Sequence, residues 1–485
     1  SQVVARARDA GLAVSTKQLF AAPTVAALAE LAVQAGPGSG AEGPGDTGPV
    51  TGDVALTPIQ RWFLDGERGS YDRFTMSAYA ELAERPDRDA LRAAVGALYE
   101  HHDGLRSRFT RTGGGWQQSV VEREDGNWFT WYDLFQEEPA ARAAEMERQL
   151  ARAHAGLDIT HGPLLKALVF DQGVDLPVRI ALVAHHLVVD VVSWGVLLAD
   201  LARAYERIAA GERPGPGART TSFQEWSGRL AELAPAGRFD GEIAYWQEAE
   251  RVPRLPGSGS AANTAGSEDT VSVRLDGRTT AALLQSAPGA YRARVNEVLL
   301  AALGRALADW TGQDRVAVAL EGHGREEAVV EGADLSRTVG WFTTVFPFAW
   351  NVSGGEGWRS AVAGVKRGLR AVPHKGLGYG VLRHLRADSP LGRPLPDVSF
   401  NYVGRSDGFD PGFYAGLLED PSATQSGAGA RAHLLDVVCG VQDERLTIGI
   451  SYSTAVHDRS DIDRLAARLG DLLHDLADSS TAPQA

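Results

Sequence analysis

The chain has 485 residues, of which 44% are hydrophobic and 23% charged, a composition typical of a soluble globular protein. Its formal net charge of −14 argues against nucleic acid as a partner, because an acidic surface repels phosphate. The single cysteine, Cys439, excludes an internal disulfide and favours a reducing, cytoplasmic location. No apolar run reaches about 18 residues, so we expect no membrane-spanning segment and no membrane partner.

The N-terminal region predicts a small helical unit over residues 1–35 and a linker over residues 36–53. "QVVARARDAG" has helical periodicity and closes with Gly11, a helix C-cap signal, and a second amphipathic helix is expected from about Thr24. The first residues lack the uninterrupted apolar core of a secretory signal, so the chain is expected to begin inside a domain. Glycine and proline dominate residues 36–53, which is typical of a linker.

From about residue 54 the sequence mixes predicted helices and strands. The helices are "DRDALRAAVGALYEHH", "PAARAAEMERQLARAHAG", "SWGVLLADLARAYERIAAG" and "VNEVLLAALGRALADWTG", and the strands are "VRIALVAHH", "RVAVALEGHG", "WFTTVFPFAWNV" and "PDVSFNYVG". A second Gly/Pro-rich break covers residues 211–221. The pattern predicts two α/β lobes of similar size, over residues 54–215 and 216–480.

Two of these predicted strands end abruptly in polar residues. "VRIALVA" runs into His185 and His186, with Asp190 shortly after, and "RVAVAL" runs into Glu321. If the two lobes face each other, an imidazole and a carboxylate could meet across a cleft. Such a pair suits general acid–base catalysis, because histidine titrates near neutrality and burial can tune a glutamate.

A structural polar cluster and a metal site are the alternatives at these strand ends. A metal could be bound by His185, His186, Asp190 and His323, but adjacent residues of a strand point to opposite faces and rarely share one ion. Asp190 is expected to pair with an arginine, because an unpaired buried carboxylate is too costly.

Several separated segments, taken in order, carry a family resemblance. The chain resembles an epimerization domain of a nonribosomal peptide synthetase, a member of the condensation-domain superfamily, preceded by the end of a peptidyl carrier domain. The matching segments are "LTPIQRWF" (56–63), "HHLVVDVVSW" (185–194), "NEVLLAALGRAL" (296–307), "EGHGRE" (321–326), "RTVGWFTTVFP" (337–347), "PHKGLGYGVLR" (373–383) and "FNYVG" (400–404).

The resemblance implies a fold, a reaction and its residues. The fold is that of chloramphenicol acetyltransferase, with two similar lobes in a V and the active site between them. The reaction is L-to-D inversion at Cα of an aminoacyl or peptidyl thioester. The family's pattern assigns catalysis to His186 and Glu321, with Tyr402 as a further candidate for stabilising the intermediate; His185, Asp190 and Asn401 are supporting residues.

The resemblance also implies partners and cofactors. The substrate is carried by 4′-phosphopantetheine on a carrier domain in the same chain, whose attachment serine is expected upstream of Ser1. An adenylation domain is expected before it and a condensation domain after it. No metal and no pyridoxal phosphate is expected, because the thioester itself acidifies the Cα–H and none of the four lysines lies in a recognisable Schiff-base setting.

The sequence departs from the family at two positions. Val191 follows Asp190 where epimerization domains usually have glycine, and Gly195 stands where arginine is common. If that loop requires a positive φ, Val191 would strain it and displace His186. Three alternative functions follow: a condensation domain that forms peptide bonds, a catalytically silent carrier-docking module, and a free acetyltransferase of related fold.

Overall fold

The computed structural model describes residues 50–66, 71–215, 219–252, 254–352, 357–404, 412–421, 429–442 and 444–481, and two short strands nearer the N-terminus. These strands, β1 (Leu12–Ala13) and β2 (Val33–Gln34), pair antiparallel. The rest of the predicted helical unit and most of the predicted linker lie outside the described residues. β2 occupies the place where the sequence predicts the end of the second helix, because its backbone is paired with β1.

The first half of the described chain begins with a short strand and ends with three helices. In chain order the elements are β3 (Gly52–Val54), α1 (Pro58–Leu64), β4 (Thr75–Leu82), α2 (Arg88–His101), β5 (Ser107–Thr112), β6 (Gly115–Val120), β7 (Phe129–Asp133), α3 (Pro139–Ala155), β8 (Leu165–Asp171), β9 (Arg179–His185), α4 (Val191–Ala209), α5 (Phe223–Leu233) and α6 (Ile243–Ala249).

The second half supplies the larger sheet and a long C-terminal helix. Its elements are β10 (Glu268–Arg274), α7 (Gly277–Ala281), α8 (Ala287–Tyr291), α9 (Val295–Thr311), β11 (Arg315–Gly322), β12 (Thr344–Asn351), α10 (Trp358–Ala371), α11 (Leu377–Gly380), β13 (Val398–Gly404), β14 (Tyr414–Leu418), β15 (Leu435–Gln442), β16 (Arg445–Ser453) and α12 (Arg459–Thr481). Within the described residues, no helix is both long and apolar enough to cross a membrane.

The first lobe is built on a five-stranded sheet in the order β14-β4-β9-β8-β7, in which only β7 and β8 run parallel. Apolar residues of α2 and α4 pack on one face, and apolar residues of α3 pack on the other. Since β9 is covered on both faces, six of its seven residues are buried, which explains the unbroken apolar run in its sequence.

A small antiparallel sheet, β3-β6-β5, lies beside this lobe. Its first strand begins at Gly52, opposite Val120 of β6, and therefore starts inside the segment predicted to be a linker.

The second lobe is built on a six-stranded sheet in the order β10-β16-β15-β13-β11-β12. Helices α9, α10 and α12 cover one face, where they join the inward residues of the strands in one hydrophobic core. The opposite face stays open to solvent at several positions. Glu321 and Val438 are exposed there and Asn401 is partly exposed. This open face carries the polar end of β11.

The chain crosses back to the first lobe after β13. β14 pairs antiparallel with β4, with Leu417 opposite Ala80, so a segment from the second half of the chain forms an edge of the first sheet. The lobe boundary predicted at residue 215 does not include this crossing, because the short sequence of β14 has no distinctive periodicity.

Candidate active site

His186 lies at the point where β9 ends in a short 3₁₀ turn. Its backbone N–H donates to the Phe74 carbonyl (2.8 Å), and its Nδ1 is 2.8 Å from the Val189 carbonyl. A carbonyl only accepts, so Nδ1 carries the proton and Nε2 keeps its lone pair. Burial lowers the pKa of His186, although the nearby Asp190 opposes this effect. The ring is therefore neutral at neutral pH and suited to accept a proton.

Two aromatic rings fix the orientation of this imidazole. Phe74 stacks on it with ring centroids 4.7 Å apart and planes 7° apart, and Trp341 contacts it at 4.7 Å with a 45° tilt. Phe74 belongs to the first lobe and Trp341 precedes β12 of the second, so both lobes position His186.

His185 uses both ring nitrogens in the fold. Its Nε2 donates to the Tyr71 carbonyl (2.6 Å), and its Nδ1 accepts from the Leu187 N–H (3.1 Å). The side chain is fully buried, and burial lowers its pKa to about 4. It is held neutral and has no nitrogen left for a substrate or a metal.

Asp190 links the first lobe to the "EGHGRE" segment of the second. It caps helix α4 by accepting from the Ser193 N–H (2.7 Å), and it forms a buried ion pair with Arg325 (3.0 Å). Arg325 is thus the arginine partner that the sequence predicts. Asp190 Oδ2 also accepts from the Phe342 N–H (3.2 Å), which ties the segment before β12 to the same carboxylate.

Ser193 makes a second connection between the lobes. Its hydroxyl donates to the Gly340 carbonyl (2.9 Å) and accepts from the Gly340 N–H (3.1 Å). Two helical turns further along α4, the fully buried Asp200 pairs with Arg337 and with His102 Nε2 (2.9 Å). These bonds hold residues 337–342 in an irregular path, so the predicted strand "WFTTVFPFAWNV" begins only at Thr344.

The second glycine of "EGHGRE", Gly324, is required because the backbone of Phe342 passes very close to it. Gly324 has φ +68°, and a Cβ on it would lie 1.6 Å from the Phe342 carbonyl oxygen. No other residue fits this position without moving the backbone, so the motif's second glycine lets Arg325 reach Asp190.

Glu321 lies on the open face of the second sheet, next to Asn401. Asn401 Nδ2 donates to Glu321 Oε2 (3.2 Å), and Leu320 lies opposite Phe400, so the register brings these neighbours together. Although solvent reaches its side chain, protein surrounds the carboxyl closely. The resulting desolvation, with a smaller contribution from Asp436, raises the pKa of Glu321.

His186 thus lies in the first lobe and Glu321 in the second, and the ion pair of Asp190 with Arg325 links the segments that carry them. Among the described residues, His186 and Glu321 make no hydrogen bond or ion pair with each other.

The remaining predicted residues have different surroundings. Tyr402 is next to Asn401 in β13 but packs against the hydrophobic core on the covered face. His323 is half exposed; its Nδ1 accepts from the Arg325 N–H (3.0 Å), and its Nε2 lies 3.5 Å from Glu326. The groups suggested as metal ligands at the two strand ends therefore do not converge.

Among the described residues, the side chains close enough to share a cation are those of His101, His102 and Asp200. Arg337 already pairs with Asp200, and its positive charge opposes a cation there. The local interactions account for this cluster without an ion.

The expected strain at Val191 is absent. Val191 is the first residue of helix α4 and is not among the described non-glycine residues with positive φ, which are Arg292, His374, Lys375 and Glu444. Its side chain is 72% exposed. The expectation was wrong because Asp190, in an extended conformation, forms the N-cap and the helix starts immediately after it.

The chain matches one protein family over most of its length. Residues 50–485 match the family model described as "Condensation domain". The chain belongs to the condensation-domain family.

Curated relatives support this assignment over nearly the whole chain. A linear gramicidin synthase from Brevibacillus parabrevis is 38% identical over all of this chain, and surfactin synthase subunit 1 from Bacillus subtilis is 34% identical over 95% of it. The chain spans only 10% and 13% of these two relatives, respectively.

Solved structures confirm the two-lobed, chloramphenicol-acetyltransferase-like fold of this family. The epimerization domain from the third module of tyrocidine synthetase B covers 90% of the chain with a TM-score of 0.79 and 29% identity, and 100% of that domain is matched. The condensation domain of the monacolin K polyketide synthase covers 88% with a TM-score of 0.68 and 17% identity; 97% of it is matched.

Three residues that hold the site together, Trp341, Arg325 and Phe74, could not be recognised from the sequence. Trp341 and Arg325 lie in quoted motifs, but only the fold shows that they contact His186 and Asp190. Phe74 lies outside every motif, and no pattern in the sequence marks it.

Proposed function

We propose that this domain epimerizes an aminoacyl or peptidyl thioester, from L to D at Cα, by proton transfer between His186 and Glu321. The observation that carries the proposal is the contrasting setting of these two residues: His186 presents Nε2 as an acceptor, and Asn401 binds the Glu321 carboxyl. Burial keeps His186 neutral, while burial and a nearby carboxylate favour the protonated form of Glu321 by raising its pKa. One residue can then take a proton and the other can give one.

The chemistry needs both groups. His186 Nε2 takes the Cα proton, and the electron pair moves to the thioester carbonyl to form an enolate. The Glu321 carboxyl returns a proton to the opposite face of Cα, which leaves an imidazolium and a carboxylate that exchange protons with solvent before the next turnover. Starting from the D-substrate, the same two groups act in reverse order.

The supporting contacts fit this assignment. The Nδ1–H bond to Val189 presents Nε2, and Asn401 orients the Glu321 carboxyl. Asp190 and Arg325 hold the two motifs together without touching the substrate. Tyr402 is given no step, because its side chain lies on the core face; its predicted role as a stabilising residue remains a prediction.

The peptide synthases among the relatives support a carrier-bound substrate. We infer that a phosphopantetheine arm on a carrier domain delivers the thioester, with an adenylation domain upstream and a condensation domain downstream as further partners. Neither a metal ion nor pyridoxal phosphate is part of the proposed reaction.

Condensation is the second candidate, favoured by the description of the matching family. The greater similarity to a solved epimerization domain, 29% identity against 17–20% for the condensation domains, supports epimerization. The two reactions give different products: inversion of one thioester, or a peptide bond between two.

The experiment supplies the chain with a carrier domain loaded with an L-aminoacyl thioester and measures the D/L ratio after hydrolysis. We expect the ratio to approach equilibrium with the unmodified chain and to form at least 100-fold more slowly with His186→Ala, since general base catalysis contributes about 10²–10⁴-fold. A ratio that never exceeds the His186→Ala control contradicts the proposal. So does a dipeptide formed when a second loaded carrier is added.

The pH dependence follows from the same two groups. As the pH falls through the lowered pKa of His186, the base is lost; as it rises through the raised pKa of Glu321, the acid is lost. The inversion rate should therefore show a bell-shaped pH profile, whose alkaline limb disappears in Glu321→Gln.

A further inference from the structure

A second carboxylate lies on the same open face of the second sheet as Glu321. Asp436 of β15 pairs in register with Ser399 of β13, two residues before Asn401, which bonds Glu321. Side chains two residues apart in a strand share a face. Glu321 and Asp436 are thus separated by two strand spacings across the sheet and two residues along it, about 12 Å between their Cα atoms.

Two side chains hold Asp436 in place. The Ser399 hydroxyl donates to its Oδ1 (2.6 Å), and Arg431 Nη2 binds its Oδ2 (2.6 Å). Arg431 is 4% exposed and also pairs through Nε with Glu268 (2.9 Å), so one arginine is shared by two carboxylates. The shared arginine offsets only part of the negative charge of Asp436.

We propose that Asp436 is a positioning residue for this site: held by Ser399 and Arg431 on the face that bears Glu321, its carboxylate disfavours a second negative charge on the Glu321 carboxyl. The inference deepens the proposed function and rests on it for its catalytic meaning. Asp436 itself touches neither the substrate nor Glu321, and it acts through the electrostatic field across the sheet.

In the part of the chain that the structure describes, the other charges around Glu321 are paired. Arg325 is neutralised by Asp190, and Lys375, whose carbonyl lies near Gly322, pairs with Glu326 (3.0 Å). Neighbouring side chains from β12 and β13 are uncharged: Thr344, Val345, Ser399 and Asn401. His323 is on the same loop, and burial lowers its pKa and keeps it neutral. Asp436 is the charge that also raises the pKa of Glu321.

The test measures the Glu321 titration directly, by ¹³C NMR of glutamate labelled at the carboxyl carbon. The Glu321 resonance is assigned by its loss in Glu321→Gln. We expect Asp436→Asn to lower the pKa of Glu321 by roughly half to one pH unit, the effect of removing one charge at two strand spacings. The alkaline limb of the inversion profile should move down by the same amount.

Two variants serve as controls. Glu268→Gln leaves Arg431 to Asp436 alone, so it should lower the pKa of Glu321 by less than Asp436→Asn does. Asp436→Glu keeps the charge and should restore the alkaline limb even if the substitution lowers thermal stability. An unchanged Glu321 titration in a folded Asp436→Asn chain overturns the inference.

The two proposals fail separately, because the titration needs no substrate. A shifted Glu321 titration in a chain that inverts no thioester supports the Asp436 assignment and contradicts epimerization. An unshifted Glu321 titration in a chain that inverts the thioester supports epimerization and contradicts the Asp436 assignment.

Discussion

At the scale of single residues, the site depends on environments that favour opposite protonation states. His186 is enclosed by Phe74 and Trp341, which remove water from an imidazole and so disfavour its charged form. Glu321 is surrounded by protein near a second carboxylate, and both effects disfavour its ionised form by raising its pKa.

The exposed Val191 gives a prediction for one residue. Val191→Gly should not raise activity, because the valine has ordinary helical backbone at the start of α4 and no strain to relieve. The glycine should instead lower the free energy of unfolding by up to about 1 kcal/mol, through its greater backbone entropy in the unfolded chain. Urea unfolding and the D/L assay check both expectations. A variant more stable than the unmodified chain would show that Val191 is strained after all.

The sequence predicts individual partners better than the surroundings of the site. The arginine pairing of Asp190 could be predicted because a buried carboxylate is costly unless it has a partner, and the structure confirms it; the catalytic roles of His186 and Glu321 stay predictions. The opposite orientations of Asn401 and Tyr402 also follow from strand alternation, once the face that bears Glu321 is known. The stacking of Phe74 on His186 could not be predicted, because it depends on how β4 and β9 are paired.

At the scale of elements, the N-terminus of α4 is the main connection between the lobes. Asp190 caps the helix, pairs with Arg325 and accepts from Phe342, while Ser193 bonds both backbone groups of Gly340. The irregular segment before β12 therefore cannot move without breaking buried hydrogen bonds. Its path carries Trp341 to the face of His186.

Asp190→Asn separates the capping role from the ionic one. Asparagine caps a helix about as well as aspartate, so the variant loses mainly the buried pair with Arg325. We expect a loss of about 3–5 kcal/mol in the free energy of unfolding, because Arg325 keeps a buried and unpaired charge. Inversion should slow as Trp341 loses its position.

Asp276→Asn is the matched control for this prediction. Asp276 caps α7 by accepting from the Thr279 N–H (2.9 Å), and it lies at no lobe junction. In urea unfolding, Asp276→Asn should change the free energy of unfolding only slightly, whereas Asp190→Asn should lower it by the larger amount given above. Equal losses from the two substitutions would mean that the ion pair with Arg325 contributes nothing.

At the scale of the whole molecule, the crossing strand β14 fastens the second half of the chain to the first sheet. Just after it, Asp420 accepts from the Ser77 hydroxyl (2.6 Å) and lies 2.9 Å from His154 Nε2. The other ring nitrogen of His154, Nδ1, is 2.7 Å from the Thr75 hydroxyl. Tyr414 at its start donates to the Leu198 carbonyl (2.9 Å). Both ends of the crossing are thus anchored in the first lobe.

Asp420→Ala should release this anchor. The substitution leaves Ser77 and His154 without their shared acceptor, and we expect a loss of about 3 kcal/mol in the free energy of unfolding. Hydrogen exchange should accelerate most in β14 and in β4. Glu419→Gln, which alters an exposed contact with Gln442, should change stability by less than about 0.5 kcal/mol. Unchanged exchange in β14 would contradict the anchoring role of Asp420.

Sequence periodicity predicted several long elements of both lobes, but neither the longest helix, α12, nor how the lobes are joined. Helices α2, α3 and α9 and strands β9, β11 and β13 each have a long run of characteristic spacing, and the structure confirms them. β14 has five residues and β3 has three, too few for periodicity to be visible. Their pairing depends on partners far away in the chain.

Exchange of the Cα proton, measured separately from each face, tests the central claim most directly. The chain is supplied in D₂O with carrier domains loaded with the L- or the D-aminoacyl thioester, and deuterium at Cα is followed by mass spectrometry. We predict that His186→Ala and Glu321→Gln each slow inversion at least 100-fold, while each retains fast exchange from one enantiomer only, and from opposite ones. Exchange of both enantiomers at the unmodified rate in either variant would contradict a reaction shared between His186 and Glu321.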